Sequence, residues 1–352
     1  MLSRRRFLAG TGALSGAAAL PAPAAWAALG APALLAAARE GDGGHALFGL
    51  AATGAILFRA PLPDRGHAAA AHPARAEAVA FARRPGTFAL VLDCAAGAVR
   101  HRLHAPAGRH FYGHGAFLDG GRVLATTENA FETGEGRIGF WDAGDGYRRI
   151  GETPSGGIGP HEVVRLPGDV LAVANGGIRT HPARGREKLN LDTMRPNLAY
   201  LADGAVRERV ELADPKLSIR HLAARPDGTV AMGLQSEHAD ERAEVPLFAV
   251  HRRGGAAEAH GAALAPSFRG YVGSVAWSGD GTRLALTGPR GGRAALWDGA
   301  RTAILHRADV SGVAPAGRGL AFTDGFGGVR LDGGAVVRHP VAWDNHLVAL
   351  GH

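Results

Sequence analysis

Four stretches of the chain share one plan: HGAFLDGGRVLATTEN (114–129), HEVVRLPGDVLAVANG (161–176), HLAARPDGTVAMGLQ (221–235) and SVAWSGDGTRLALTG (274–288). Each opens with a short alternating apolar stretch, turns at a Gly/Asp or Pro-containing pair, and returns as a second apolar strand. Gly and Asp tolerate the positive φ that tight hairpins require. Further hairpins fill the gaps, at 87–103, 136–152, 197–212, 246–260 and 293–305. A repeat constrains the fold more than any single residue does. One unit cannot bury its own apolar face and must stack on the next. Two hairpins per unit give four strands, which is one blade of a β-propeller.

The first strands of successive units open at His67, His114, His161, His221, Ser274, Ser311 and His346. Seven openings predict an all-β, seven-bladed β-propeller. The seventh unit has only HLVAL at the C-terminus. Its missing strands are expected from the N-terminal stretches ALLAAARE, HALFGLAATG and AILFRAPLP. Such a closure removes the exposed sheet edges that an open ring would leave. The long step from His161 to His221 holds an insertion, IRTHPARGREKLNLDTMR (178–195), expected as a surface loop or as a lid on the channel. WDAGDG (141–146) and WDGA (297–300) read as the strand ends of blades.

The alignment gives GRHFYGHG (108–115) a place, at the crossing from one blade into the innermost strand of the next. SGGIGPHE, LSIRHL, DRGH and WDNH occupy the equivalent crossings. His67, His114, His161, His221 and His346 are therefore expected to ring one mouth of the channel. Imidazoles converging on an axis suit a transition metal or a haem iron. Arg109, Tyr112, Glu162, Arg220 and Asn345 lie beside them as candidate ligand-binding groups. With Arg among them, the ring could equally hold an anion such as a carboxylate or phosphate. A third reading is structural, with each His bonded to a neighbouring blade's backbone. No catalytic residues are assigned. The chain carries no H-E-x-x-H, C-x-x-C or G-x-S-x-G, and its glycine pairs lack the strand-then-helix context of a phosphate loop.

The first residues read as a targeting segment. Ser3, Arg4, Arg5, Arg6, Phe7 and Leu8 form a twin-arginine pattern, a weakly apolar run follows, and Ala25-Trp26-Ala27 fits an A-x-A cleavage site. The expected organisation is a twin-arginine signal peptide over residues 1–27, a single propeller over 28–352 and a periplasmic location. Cys94 is the only cysteine, so no intrachain disulfide forms. The net charge is +7, yet no basic block lies outside the N-terminus and no aromatic-basic interleaving suggests a nucleic-acid groove. No later apolar run is long enough to span a membrane.

RRPGTFALVLD, GRHFYGHGAF, TENAFETGEGRIGFWD, PSGGIGPHE, VANGGIRTHPARGREKLNLDTM, LSIRHLA, YVGSVA and WDNH, in this order, resemble the bacterial DUF1513 family. The resemblance runs from about residue 45 to the C-terminus. It implies a twin-arginine-exported periplasmic propeller. It also implies a setting in iron acquisition, beside imelysin-like and dihaem-peroxidase-like periplasmic proteins. The expected function is then a non-enzymatic binding or docking component in iron or haem acquisition, with iron, copper or haem as candidate cofactors. The alternatives are a metal-dependent enzyme, lactonase-like or oxidoreductase-like, using the same centre, and a pure interaction scaffold.

Overall fold

Seven four-stranded antiparallel sheets stand in a ring in the computed structural model, which describes residues 24–83 and 88–350. The protein is a seven-bladed β-propeller. Blades 1 to 7 are numbered by their inner strands: Gly66–Ala71, Arg109–Leu118, Pro160–Leu166, Leu217–Ala224, Ser274–Trp277, Val310–Ala316 and Val341–Ala349. Each inner strand packs against the next, and the seventh packs against the first, so the ring closes. All seven inner strands are those the repeat predicts.

Blade 7 joins the two ends of the chain. Its inner strand Val341–Ala349 pairs with Leu34–Glu40, which continues through His45–Leu50 to Ile56–Leu62. The sequence predicts this closure, and the middle strands of the blade show why it forms. Leu34, Leu35, Leu47 and Leu50 are fully buried, so these strands must be covered on both faces. The core is accordingly divided into clusters lying between blades. One joins Phe81, Phe111, Trp141 and Tyr147 of blades 1 and 2, another Phe248, Phe268, Trp277 and Leu286 of blades 4 and 5. Trp141, in the first WD pair, donates its indole N–H to Thr126 at 3.0 Å and so ties two strands of its own blade.

The 178–195 insertion leaves blade 3 between its second and third strands and is strapped to both neighbours. Arg179 donates to the Glu132 carbonyl of blade 2 at 2.6 Å, and Asn129 of blade 2 donates to the Thr180 carbonyl at 3.1 Å. On the other side Lys188 pairs with Glu237 and Lys216 donates to the Leu191 carbonyl, both partners in or beside blade 4. It is a loop strapped across three blades.

The twin-arginine pattern lies outside the described residues. The A-x-A motif lies inside them, in a helical turn, Ala24–Ala27. Trp26 is buried there, stacks on Phe58 and donates its indole N–H to the His72 carbonyl at 3.2 Å. No helix among the described residues is long and apolar enough to cross a membrane.

Candidate metal centre

The inner strands do not run as regular ladders past the channel. In blade 1 His67 and Ala68 together oppose Phe81; in blade 2 Tyr112, Gly113 and His114 oppose Thr127. His161 is an extra residue between two paired positions of blade 3, Arg220 is the extra residue just before His221 in blade 4, and Asp344, Asn345 and His346 oppose Ala37 in blade 7. A β-bulge at or beside each histidine re-aims a side chain that strict alternation would place elsewhere. Blade 5 contributes Ser274 on a regular ladder. Blade 6 has a bulge of its own, at Ser311 and Gly312, but no imidazole.

The result is a pentagon of rings. Going round, the centroids of His67, His114, His161, His221 and His346 are separated by 4.9, 5.2, 4.9 and 5.0 Å, and His346 returns to His67 at 4.6 Å. His114 also lies 4.7 Å from His346 across the pentagon. The five residues that the sequence expects around one mouth thus lie in one cluster, with His67–His161 at 5.8 Å and His114–His221 at 6.4 Å across it. His114, His161, His221 and His346 are buried. Gly113 makes the packing possible. Its φ is +100°, and a Cβ built there would lie 2.5 Å from Cδ2 of His67.

Hydrogen bonds satisfy only part of the cluster. His114 Nε2 meets His67 Nε2 at 3.2 Å, and His221 Nδ1 meets Glu162 Oε2 at 3.2 Å. Glu162 also accepts from the Leu222 N–H at 3.1 Å and lies 3.7 Å from His114 Nδ1. Three buried ring nitrogens of the cluster have no hydrogen-bond partner among the described residues: His67 Nδ1, His161 Nδ1 and His346 Nε2. Buried polar atoms are paired in the great majority of cases, so three orphans in one cluster require an explanation.

Electrostatics favour neutral imidazoles. Burial holds His67, His114 and His161 well below the usual histidine range, and for His67 and His114 the neighbouring His346 ring comes next. For His161 the Arg220 guanidinium is the largest contribution after burial. Burial and Arg220 take His221 down to about 3, and burial takes His346 to about 4. Burial pushes Glu162 up to about 7, opposed by His346 and by the Leu222 N–H. Neutral imidazole is the form that binds a metal. Two triads bring one ligand atom from each member within 4.8 Å of the others: His67, His114 and His346, and His114, His161 and Glu162.

The remaining candidates divide. Glu162 is in the cluster, and Arg220 stands close enough to depress three of its histidines. Asn345 lies in the blade 7 bulge, where its N–H donates to Asp344 Oδ1 at 2.9 Å. Arg109 pairs with Glu152 and faces Glu128 at 4.0 Å, in a network completed by Arg149. The Tyr112 hydroxyl meets the Thr180 hydroxyl of the strap at 2.9 Å. The sequence also offers Asp344 as a group beside the ring; it is buried and accepts from Arg65 at 2.7 Å and Arg83 at 3.1 Å. It sits two residues before His346 in the same WDNH motif, but it is tied to blade 1 and not turned toward the imidazoles.

This architecture defines a class: a seven-bladed propeller whose inner strands bring five histidines and a glutamate together on the axis. The chain belongs to the DUF1513 family, described as "Protein of unknown function", whose family model matches residues 60–350. Among solved structures it is similar to Kuenenia stuttgartiensis hydrazine synthase, at 14% identity and TM-score 0.62, over 94% of this chain and 98% of that one. It is also similar to a streptogramin B lyase, at 11% identity and TM-score 0.54, over 79% of this chain and 84% of that one. At these identities the likeness is one of fold. No curated protein matches the sequence.

Proposed function

We propose that the protein is a non-enzymatic, transition-metal-binding component of the periplasm, exported by the twin-arginine route, with the axial histidine cluster as its ligand site. The observation that carries the reading is the set of unpartnered buried nitrogens on His67, His161 and His346. Leaving one buried polar group unpaired costs about 1–3 kcal/mol. A metal ion would repay that cost at several of these nitrogens together, whereas histidines that only stitch blades would each already have a backbone partner. The depressed basicity of all five rings supports the same reading, because no proton needs to be displaced from a neutral imidazole's lone pair.

Ligand type narrows the ion. Imidazole with a single carboxylate suits iron, copper or zinc, and at equal geometry copper(II) binds most strongly. The packing favours a bare ion over haem. Adjacent rings in the pentagon are 4.6–5.2 Å apart, too close to admit a macrocycle between them. An iron-acquisition role, with imelysin-like and dihaem-peroxidase-like proteins as partners, fits such a ligand site and rests on the family resemblance.

The test is elemental analysis of the natively exported protein, followed by titration of the metal-free form with iron(II) and copper(II). At least one ion per chain is expected, with uptake abolished in His114→Ala while the circular dichroism of the fold is kept. A wild-type protein that carries no metal and takes up neither ion would refute the reading.

A further inference from the structure

The two candidate triads share His114, and the two ring nitrogens of His114 face different groups. His114 Nε2 faces His67 Nε2 at 3.2 Å, in the triad completed by His346. His114 Nδ1 faces Glu162 Oε1 at 3.7 Å, in the triad completed by His161. The members of the first triad carry two of the orphaned nitrogens, His67 Nδ1 and His346 Nε2, and those of the second carry the third, His161 Nδ1. A single ion could relieve one side of His114 and leave the other as it is.

Resting on the metal reading above, we propose that the centre is dinuclear, with His114 bridging two ions. The first ion is held by Nε2 of His114, His67 and His346, the second by Nδ1 of His114 and His161 and by Glu162 Oε1. The distances suit this arrangement. Metal–nitrogen bonds of about 2.0–2.1 Å in a four-coordinate site place neighbouring ligand atoms about 3.3 Å apart. The His67–His114 contact of 3.2 Å already has that spacing. The other ligand atoms lie within 4.8 Å and need only side-chain adjustment to close on an ion. Three protein ligands per ion leave a coordination position for water or hydroxide at each.

The bridge has a definite proton balance. A neutral imidazole has one lone pair and one N–H. Binding the first ion uses the lone pair; binding the second breaks the remaining N–H, whose proton leaves to solvent, and the ring becomes imidazolate. No electron is transferred. Glu162 binds as the carboxylate, and where its carboxyl carries a proton that proton also leaves to solvent; the imidazolate and the carboxylate then supply two of the negative charges that a pair of divalent ions calls for. His221, which meets the second carboxylate oxygen of Glu162, orients that carboxylate and is a positioning residue.

Copper(II) gives a readout independent of any activity. The metal-free, full-length protein is titrated with copper(II), bound metal is counted after gel filtration, and the electron paramagnetic resonance signal is integrated at each step. Two ions per chain are expected. The signal should rise with the first equivalent and fall toward zero with the second, because unpaired electrons on two coppers couple antiferromagnetically through an imidazolate. Glu162→Gln should keep one ion and its full signal, and so should His346→Ala. His114→Ala should hold neither ion.

Saturation of the wild type at one ion would overturn the dinuclear centre and leave the mononuclear reading standing. Two ions with an undiminished signal would overturn the bridge. No uptake at all would overturn the metal reading itself. The wild-type titration decides among these even if a variant fails to fold.

Discussion

Gly113 and His72 show how single residues set the centre and its surroundings. Gly113 occupies a positive φ, and the space its Cβ would need is filled by the His67 ring. Gly113→Ala is expected to destabilise the fold by about 2–3 kcal/mol, from backbone strain and overpacking together. It should also weaken metal uptake by displacing His67. Denaturant unfolding and a copper titration check the two effects, and an unchanged midpoint would contradict the packing argument. His72 lies outside the cluster, on the edge of blade 1. Its Nδ1 accepts from the N–H groups of Ala74 and Arg75 at 3.0 Å each, and burial followed by Arg75 lowers it from 6.5 to about 4. The unfolded chain therefore takes up this proton first as the pH falls. The contribution of His72 to stability is complete above pH 6.5 and is lost progressively between 6.5 and 4. His72→Asn, whose Oδ1 can accept the same N–H groups without titrating, should gain on the wild type by about 2–3 kcal/mol across that interval. Parallel stability curves for the two proteins from pH 7 to 4 would count against it.

At the scale of elements, the sequence made the blades legible and left the bulges hidden. DG and GD turns mark hairpins because their backbone requirement is local. A bulge depends on how two strands pair, and that pairing is settled by packing between blades. The five histidines were found because the repeat aligned them. Arg109 and Tyr112 share an octapeptide with His114 yet bond elsewhere, since the bulge at Tyr112–His114 turns the strand between them. Glu128 and Asn129 are buried at the end of a second strand, where Glu128 accepts from Arg149 at 2.7 and 2.9 Å. The helical turn Ala24–Ala27 is a second case. Its A-x-A pattern reads as a cleavage site, but Trp26 is packed among Leu35, Leu47, Leu62 and Cys94. A chain beginning at Ala28 would lack this indole. Trp26→Ala is expected to cost about 3 kcal/mol. N-terminal sequencing of the exported protein shows whether Trp26 is retained. A mature chain that starts at Ala28 and is as stable as the longer one would exclude a structural role for Trp26.

For the whole molecule, ring closure and the metal centre depend on the same strand. Val341–Ala349 completes blade 7 by pairing with Leu34–Glu40, brings His346 to the axis, and places Asp344 against Arg65 and Arg83 of blade 1. Asp344 is buried, Arg83 is largely covered and Arg65 is about half exposed. Removing the acceptor leaves a poorly hydrated guanidinium at the seam where the last blade meets the first. Such a loss costs about 3–5 kcal/mol for a fully buried pair. The exposure of Arg65 reduces this, so Asp344→Ala is expected to destabilise the protein by about 2–3 kcal/mol. The loss should be local to the seam. Hydrogen exchange should quicken in Val341–Ala349 and Gly66–Ala71 before it does in blades 3 to 5, and copper uptake should weaken because His67 and His346 both stand on the loosened strands. Exchange that rises evenly round the ring would mean that the propeller opens as one cooperative body. A change in stability below about 0.5 kcal/mol would mean that the seam is held by apolar packing alone, through Trp343 and Leu347.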